Sequence, residues 1–130
     1  ALVETRVGSE TIRLVEDEEV VRKLAQRILA EQGYTLLTAS NGHEALKICE
    51  KHLNPINMML TDIVMPQISG RALAQRLQAT FPNMKVLYMS GYAEDTLQAI
   101  GEVINERNFI QKPFTPTALA RKVRELLDSN

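Results

Sequence analysis

A chain of 130 residues, 45% hydrophobic and 24% charged, is long enough for one domain with a proper core and too short for two ordinary ones. With 15 Lys and Arg against 16 Asp and Glu, the formal net charge is −1, which gives no electrostatic footing to nucleic acid or an acidic membrane surface. A single cysteine, Cys49, excludes an internal disulfide and fits a reducing, cytoplasmic setting. No apolar run approaches the length of a membrane span, and no signal peptide, repeat or low-complexity segment is recognisable. The first residue is Ala1, and the expectation is a piece of a longer polypeptide or a processed chain.

Residues 1–10, ALVETRVGSE, have weak periodicity and a Gly-Ser pair, and read as a linker before a domain over 11–128. TIRLV (11–15) predicts a first strand. Val20, Val21, Leu24, Ala25, Ile28 and Leu29 then fall on one helical stripe, with Gly33 where a C-terminal cap glycine belongs. YTLLTA (34–39) predicts a second strand. Asn41 followed by Glu44 resembles a capping box for a helix carrying Ala45, Leu46, Cys49 and Leu53. NMMLT (57–61) lacks alternation, so it predicts a strand covered on both faces. A helix is predicted from about Gly70 to Thr80 and is stopped by Phe81-Pro82. KVLYM (85–89) is a fourth strand, 94–105 a weaker helix with Gly101 inside it, and NFIQ (108–111) a fifth strand. Thr115 caps a last helix with Pro116 in its first position. Arg121, Lys122 and Arg124 read as a solvated face of that helix.

The order is βα repeated five times. Right-handed crossovers then require a parallel sheet with helices on both sides, a doubly wound α/β fold with the flavodoxin-like strand order 2-1-3-4-5. Sites in such folds lie beyond the carboxyl ends of the strands. Glu16, Asp17, Glu18 and Glu19 follow the first strand, Asp62 the third, Ser90 and Gly91 the fourth, and Lys112 the fifth. Carboxylates gathered this way repel one another unless a cation sits among them. Oxygen donors without histidine or thiol favour a hard ion such as Mg²⁺, which also takes phosphate oxygens. Lys112 and Ser90 would complement a phosphoryl group, and Asp62 could act as a nucleophile forming an aspartyl phosphate.

Four motifs, LVEDEE, DIVMPQISG, YMSGY and QKPF, each at a strand end and in this order, resemble the receiver domain of two-component response regulators over about Thr11 to Asp128. The resemblance implies Asp62 as phosphoacceptor, with Mg²⁺ bound by Asp17, Asp62 and the Val64 carbonyl, and by Glu16 through water. It implies Ser90 as the switch hydroxyl and Phe109 as the switch aromatic. Lys112 would pair with the phosphoryl group through a cis bond to Pro113. The responding surface would be the helix over 94–105, the fifth strand and the last helix. The partner would be a sensor histidine kinase or phosphotransfer domain, with no nucleic acid or membrane contact and a monomeric or weakly dimeric state.

The sequence also departs from the commoner family pattern. Glu16 stands where Asp is frequent, Ser90 where Thr is, and Phe109 where Tyr is. Val64 and Tyr92 flank the approach of attacking water and orient it poorly, which predicts slow self-dephosphorylation. GSETIRLVEDEE and IQKPFTPTALARKVRELL further resemble receivers joined to the C-terminal end of hybrid sensor histidine kinases. The domain would promote its own phosphotransfer without being a turnover enzyme. An aspartate-nucleophile phosphohydrolase is disfavoured because Val64 stands where such enzymes carry a second acid. A degenerate docking module is disfavoured by the retention of Asp17, Asp62, Ser90 and Lys112. His43 and His52 are expected to be exposed helical residues, and Cys49, Met58, Met59 and Met89 core residues.

Overall fold

A computed structural model describes residues 8–51, 55–65, 67–91 and 106–129. In chain order the elements are β1 (Thr11–Val15), α1 (Glu19–Glu31), β2 (Thr35–Ala39), α2 (Gly42–Lys51), β3 (Met58–Asp62), α3 (Gly70–Thr80) and β4 (Lys85–Ser90). A short 3₁₀ turn (Glu106–Asn108), β5 (Phe109–Gln111) and α4 (Pro116–Asp128) follow. The helix predicted over 94–105, together with Tyr92 and His52, lies outside the described residues.

The five strands form one parallel sheet in the order β2-β1-β3-β4-β5, as the sequence predicts. Period-two alternation divides the core between its two faces. Ile12, Leu14, Met58, Leu60, Leu87 and Met89 point to the side covered by α1 and α4, where Ala25, Leu29, Leu119 and Val123 meet them. Val15, Met59, Val86 and Tyr88 point to the side covered by α2 and α3, where Ala45, Cys49, Leu73 and Leu77 meet them. Every residue of β3 is buried, which is why its apolar run shows no alternation. Met58, Met59 and Met89 are core residues, Cys49 is a buried free thiol, and His43 is exposed.

Local chemistry sets the helix ends. The Glu44 amide donates to Asn41 Oδ1 (2.8 Å), and Glu44 Oε1 accepts from the Ser40 amide (2.8 Å). The box therefore reaches one residue further back than the Asn41–Glu44 pairing alone suggests. The Ala118 amide donates to Thr115 Oγ1 (3.0 Å), with Pro116 opening α4. Ser69, just before the Gly70 start that the sequence predicts, caps α3 through the Ala72 amide (3.1 Å). Gly33 ends α1 with φ 98°, the left-handed geometry that glycine adopts without a steric penalty.

Two side chains depart from the helix and strand patterns. Arg13, in the middle of β1, is fully buried among apolar residues. Its guanidinium donates to the Leu37 carbonyl (2.8 Å) and to Cys49 Sγ (3.4 Å), and Nε has no partner. Burial lowers its pKa from the usual arginine value. Val20, which belongs to the apolar stripe of α1, is 81% exposed. At about 3.6 residues per turn, it falls well outside the arc of Ala25, Ile28 and Leu29, the buried residues of α1, and so faces solvent.

Candidate metal and phosphoryl site

The carboxyl ends of β1, β3, β4 and β5 bring Glu16, Asp17, Asp62, Ser90 and Lys112 to one edge of the sheet. The Asp62–Met89 and Ser90–Gln111 pairings set the heights of β3, β4 and β5. Beyond β1, the Glu16 amide donates to the Ala39 carbonyl (3.1 Å), and the Glu16 carbonyl accepts from Arg22 Nη1 (2.8 Å). Glu16 Oε2 accepts from the Glu18 amide (3.0 Å). A fully buried acid is thus aimed into the pocket by the first turn of α1.

The loop after β3 is held against the strand end. The Ile63 amide donates to the Met89 carbonyl (3.1 Å), and the Gly70 amide to the Ile63 carbonyl (2.9 Å). A Cβ on Gly70 would run into the carbonyl oxygen of Asp62. This accounts for the glycine in DIVMPQISG: the start of α3 must come within backbone contact of the strand that ends on the reactive acid. On the opposite side, the Lys112 amide donates to the Ser90 carbonyl (2.9 Å), and the Lys112–Pro113 peptide is cis, as expected.

Lys112 Nζ lies 2.7 Å from Asp62 Oδ1, 3.0 Å from Glu16 Oε1 and 3.3 Å from Glu18 Oε1. Burial alone would lower the pKa of this amine, but the hydrogen bonds and charges of Asp62 and Glu16 prevail and raise it above the usual lysine value. Burial also pushes Glu16 up to about 8, reinforced by the neighbouring Asp62 carboxylate. Carboxylate oxygens of Glu16, Asp17 and Asp62 all lie within 4.8 Å of one another. Asp62 Oδ2 is buried and has no hydrogen-bond partner. One ammonium does not neutralise this cluster, and an orphaned anionic oxygen is costly to bury. The oxygen-only donor set, the repulsion and the unused Oδ2 fit a hard divalent cation.

A cavity of about 250 Å³ opens between these groups, lined among others by Asp17, Asp62, Val64, Ser90 and Lys112. Val64 is 69% exposed at its edge. Phe109 begins β5, is half-buried and faces Tyr88 across the strand pair. Every sequence-predicted site residue among the described ones, except Phe109, thus lies at the cavity or in contact with a residue that lines it. Phe109 stands on the adjoining strand. Glu18, which the sequence places only among the acids that follow the first strand, lines the same cavity and contacts Lys112. The two residues are 94 positions apart, so no local pattern announces the pairing.

The family model for the response regulator receiver domain matches residues 12–124. The chain belongs to the response regulator receiver family. The receiver is 39% identical over 121 residues to the sensor kinase CckA of Brucella abortus, covering 93% of this chain and 13% of that protein. It is 28% identical over 116 residues to the response regulator receiver protein CpdR of the same organism, covering 89% of this chain and 95% of that one. A crystal structure of the receiver domain from the hybrid histidine kinase CckA superposes with a TM-score of 0.75 at 32% identity, covering 91% of this chain and 99% of that one. Membership places the receiver in two-component phosphorelay signalling, where partners are histidine kinases or phosphotransfer proteins. Among the described residues, no helix is long and apolar enough to cross a membrane.

Proposed function

We propose that the receiver accepts a phosphoryl group from a phosphohistidine onto Asp62, with Mg²⁺ held by Asp17, Asp62 and the Val64 carbonyl, and by Glu16 through water. The bound ion would supply charge neutralisation for the phosphoryl oxygens. A carboxylate oxygen of Asp62 donates the electron pair of the new P–O bond. The P–N bond breaks, and its pair returns to the imidazole nitrogen, which takes a proton from solvent. Lys112, already 2.7 Å from Asp62 Oδ1, follows the negative charge onto the phosphoryl group. Ser90 donates its hydroxyl to a phosphoryl oxygen, and Phe109 repacks as that hydroxyl turns. The change is read out at β5, α4 and the helix expected over 94–105.

The observation that carries this reading is the Lys112–Asp62 contact beside the orphaned Asp62 Oδ2, in a cavity that Ser90 also lines. We take residues 11–128 as the domain and 1–10 as a linker, fastened where Glu10 pairs with Arg124 (2.7 Å). The likeness to the CckA receiver supports attachment to a hybrid histidine kinase. The test is phosphotransfer from a labelled histidine kinase with Mg²⁺ present. Wild type takes the label and Asp62→Asn does not; label retained by the variant would move the acceptor elsewhere.

A further inference from the structure

We propose that Glu18 is a positioning residue that holds Lys112 at the mouth of the pocket and competes with the incoming phosphoryl group for it. This rests on the reading of Asp62 as phosphoacceptor. An ammonium has three N–H donors, and Lys112 has three carboxylate oxygens around it, from Asp62, Glu16 and Glu18. The first two side chains are buried, at 6% and 0% exposure, whereas that of Glu18 is 64% exposed. Neither buried acid can leave the amine without stranding a charge. Glu18 can, by rotating into water.

Its backbone does not move with it, because the Glu18 amide is tied to Glu16 Oε2 (3.0 Å). The carboxylate therefore stays tethered at the rim. It stands between the acidic cavity and an apolar groove of about 310 Å³ lined by Val21, Leu24, Pro113 and Phe114, among others. A phosphoryl group brings nearly two negative charges into reach of that carboxylate. Uptake then requires Lys112 to exchange Glu18 for a phosphoryl oxygen, and the free acid adds like-charge repulsion at the entrance. An exposed pair of this kind corresponds to about threefold in an equilibrium constant.

Glu18→Gln keeps the size and the backbone tether and removes the charge. In metal-free protein, acylation of the Lys112 amine by an N-hydroxysuccinimide ester is expected to run about threefold faster than in wild type. With Mg²⁺, the beryllofluoride concentration needed for half-saturation, followed by NMR, should fall by about the same factor, and the difference should shrink at high salt. Glu18→Asp, which keeps the charge, should stay close to wild type. Equal acylation and equal beryllofluoride binding in wild type and Glu18→Gln would overturn the proposal. If wild type itself binds no beryllofluoride, the reading of Asp62 fails, and the acylation rates still decide whether Glu18 restrains Lys112.

Discussion

At Gly70 and at Glu16, single residues carry constraints that the whole site depends on. Gly70 has no positive φ to defend, so its requirement is spatial: the missing Cβ leaves room for the Asp62 carbonyl, and Thr61 Cγ2 lies 3.1 Å from where that Cβ would be. The obstacle is largely backbone, which cannot swing aside as a side-chain tip can. Gly70→Ala is expected to cost about 1–3 kcal/mol in urea unfolding and to slow phosphorylation by displacing the end of β3. A variant as stable and as reactive as wild type would show that the loop gives way.

Glu16 produces a pH dependence of a particular sign. Its folded pKa, about 8, lies above the ordinary value of 4.5, so between these limits the folded state binds more protons than the unfolded one. Stability of the metal-free protein must then fall as pH rises through that window. Lys112, raised above 10.5, gives stability that is fully present through the same range and lost only at higher pH. Glu10, lowered by its Arg124 partner, loses its contribution only as pH drops below 4.5. Denaturant midpoints between pH 5 and 8 in chelator should therefore decline in wild type and flatten in Glu16→Gln. Saturating Mg²⁺ should flatten the wild-type slope as well, because the ion favours the ionised acid.

Strands and helices were legible in the sequence where their pattern is repeated, and misread where one residue breaks it. The unalternating run of β3 marks a strand buried on both faces, and Thr115-Pro116 marks the start of α4. Asp62, Ser90 and Lys112 could be assigned to one edge because each immediately follows a recognisable strand. Arg13 could not be placed the same way: strand pattern gives the face a residue occupies, and nothing local says that a cation will be sealed on it. Nor do the apolar residues of α1 by themselves tell which part of their arc meets the sheet: Val20 falls outside the arc of Ala25, Ile28 and Leu29 and is exposed. Arg13 therefore offers a test at the level of the element. Its guanidinium has a carbonyl and a thiol as hydrogen-bond partners, and its Nε has none. Apolar replacements for buried charge are often neutral or stabilising. Arg13→Leu is expected to hold stability or raise it by about 1 kcal/mol. A loss of about 2 kcal/mol or more in the denaturant midpoint would mean that the Arg13 contacts with Leu37 and Cys49 outweigh the cost of burying the cation.

For the molecule as a whole, the edge that holds the acids must also admit a donor protein, since a phosphohistidine has to come within bonding distance of Asp62. Among the described residues, the large apolar side chains that are exposed stand toward that edge: Val20 (81%), Val64 (69%) and Leu24 (42%). Val64 borders the acidic cavity, and Leu24 lines the groove beside it with Pro113 and Phe114. Nonpolar side chains around a charged pocket provide area that a partner can dry, while the central acids supply the chemistry. Val20 is exposed, so Val20→Glu should change stability by no more than about 0.5 kcal/mol. If the rim seats the donor, this variant should accept phosphate from a histidine kinase on the order of tenfold more slowly. Its labelling by acetyl phosphate, a donor too small to reach Val20, should keep the wild-type rate. Parallel loss with both donors would place the damage in the pocket, and no loss with either would move the docking surface to another face of the receiver.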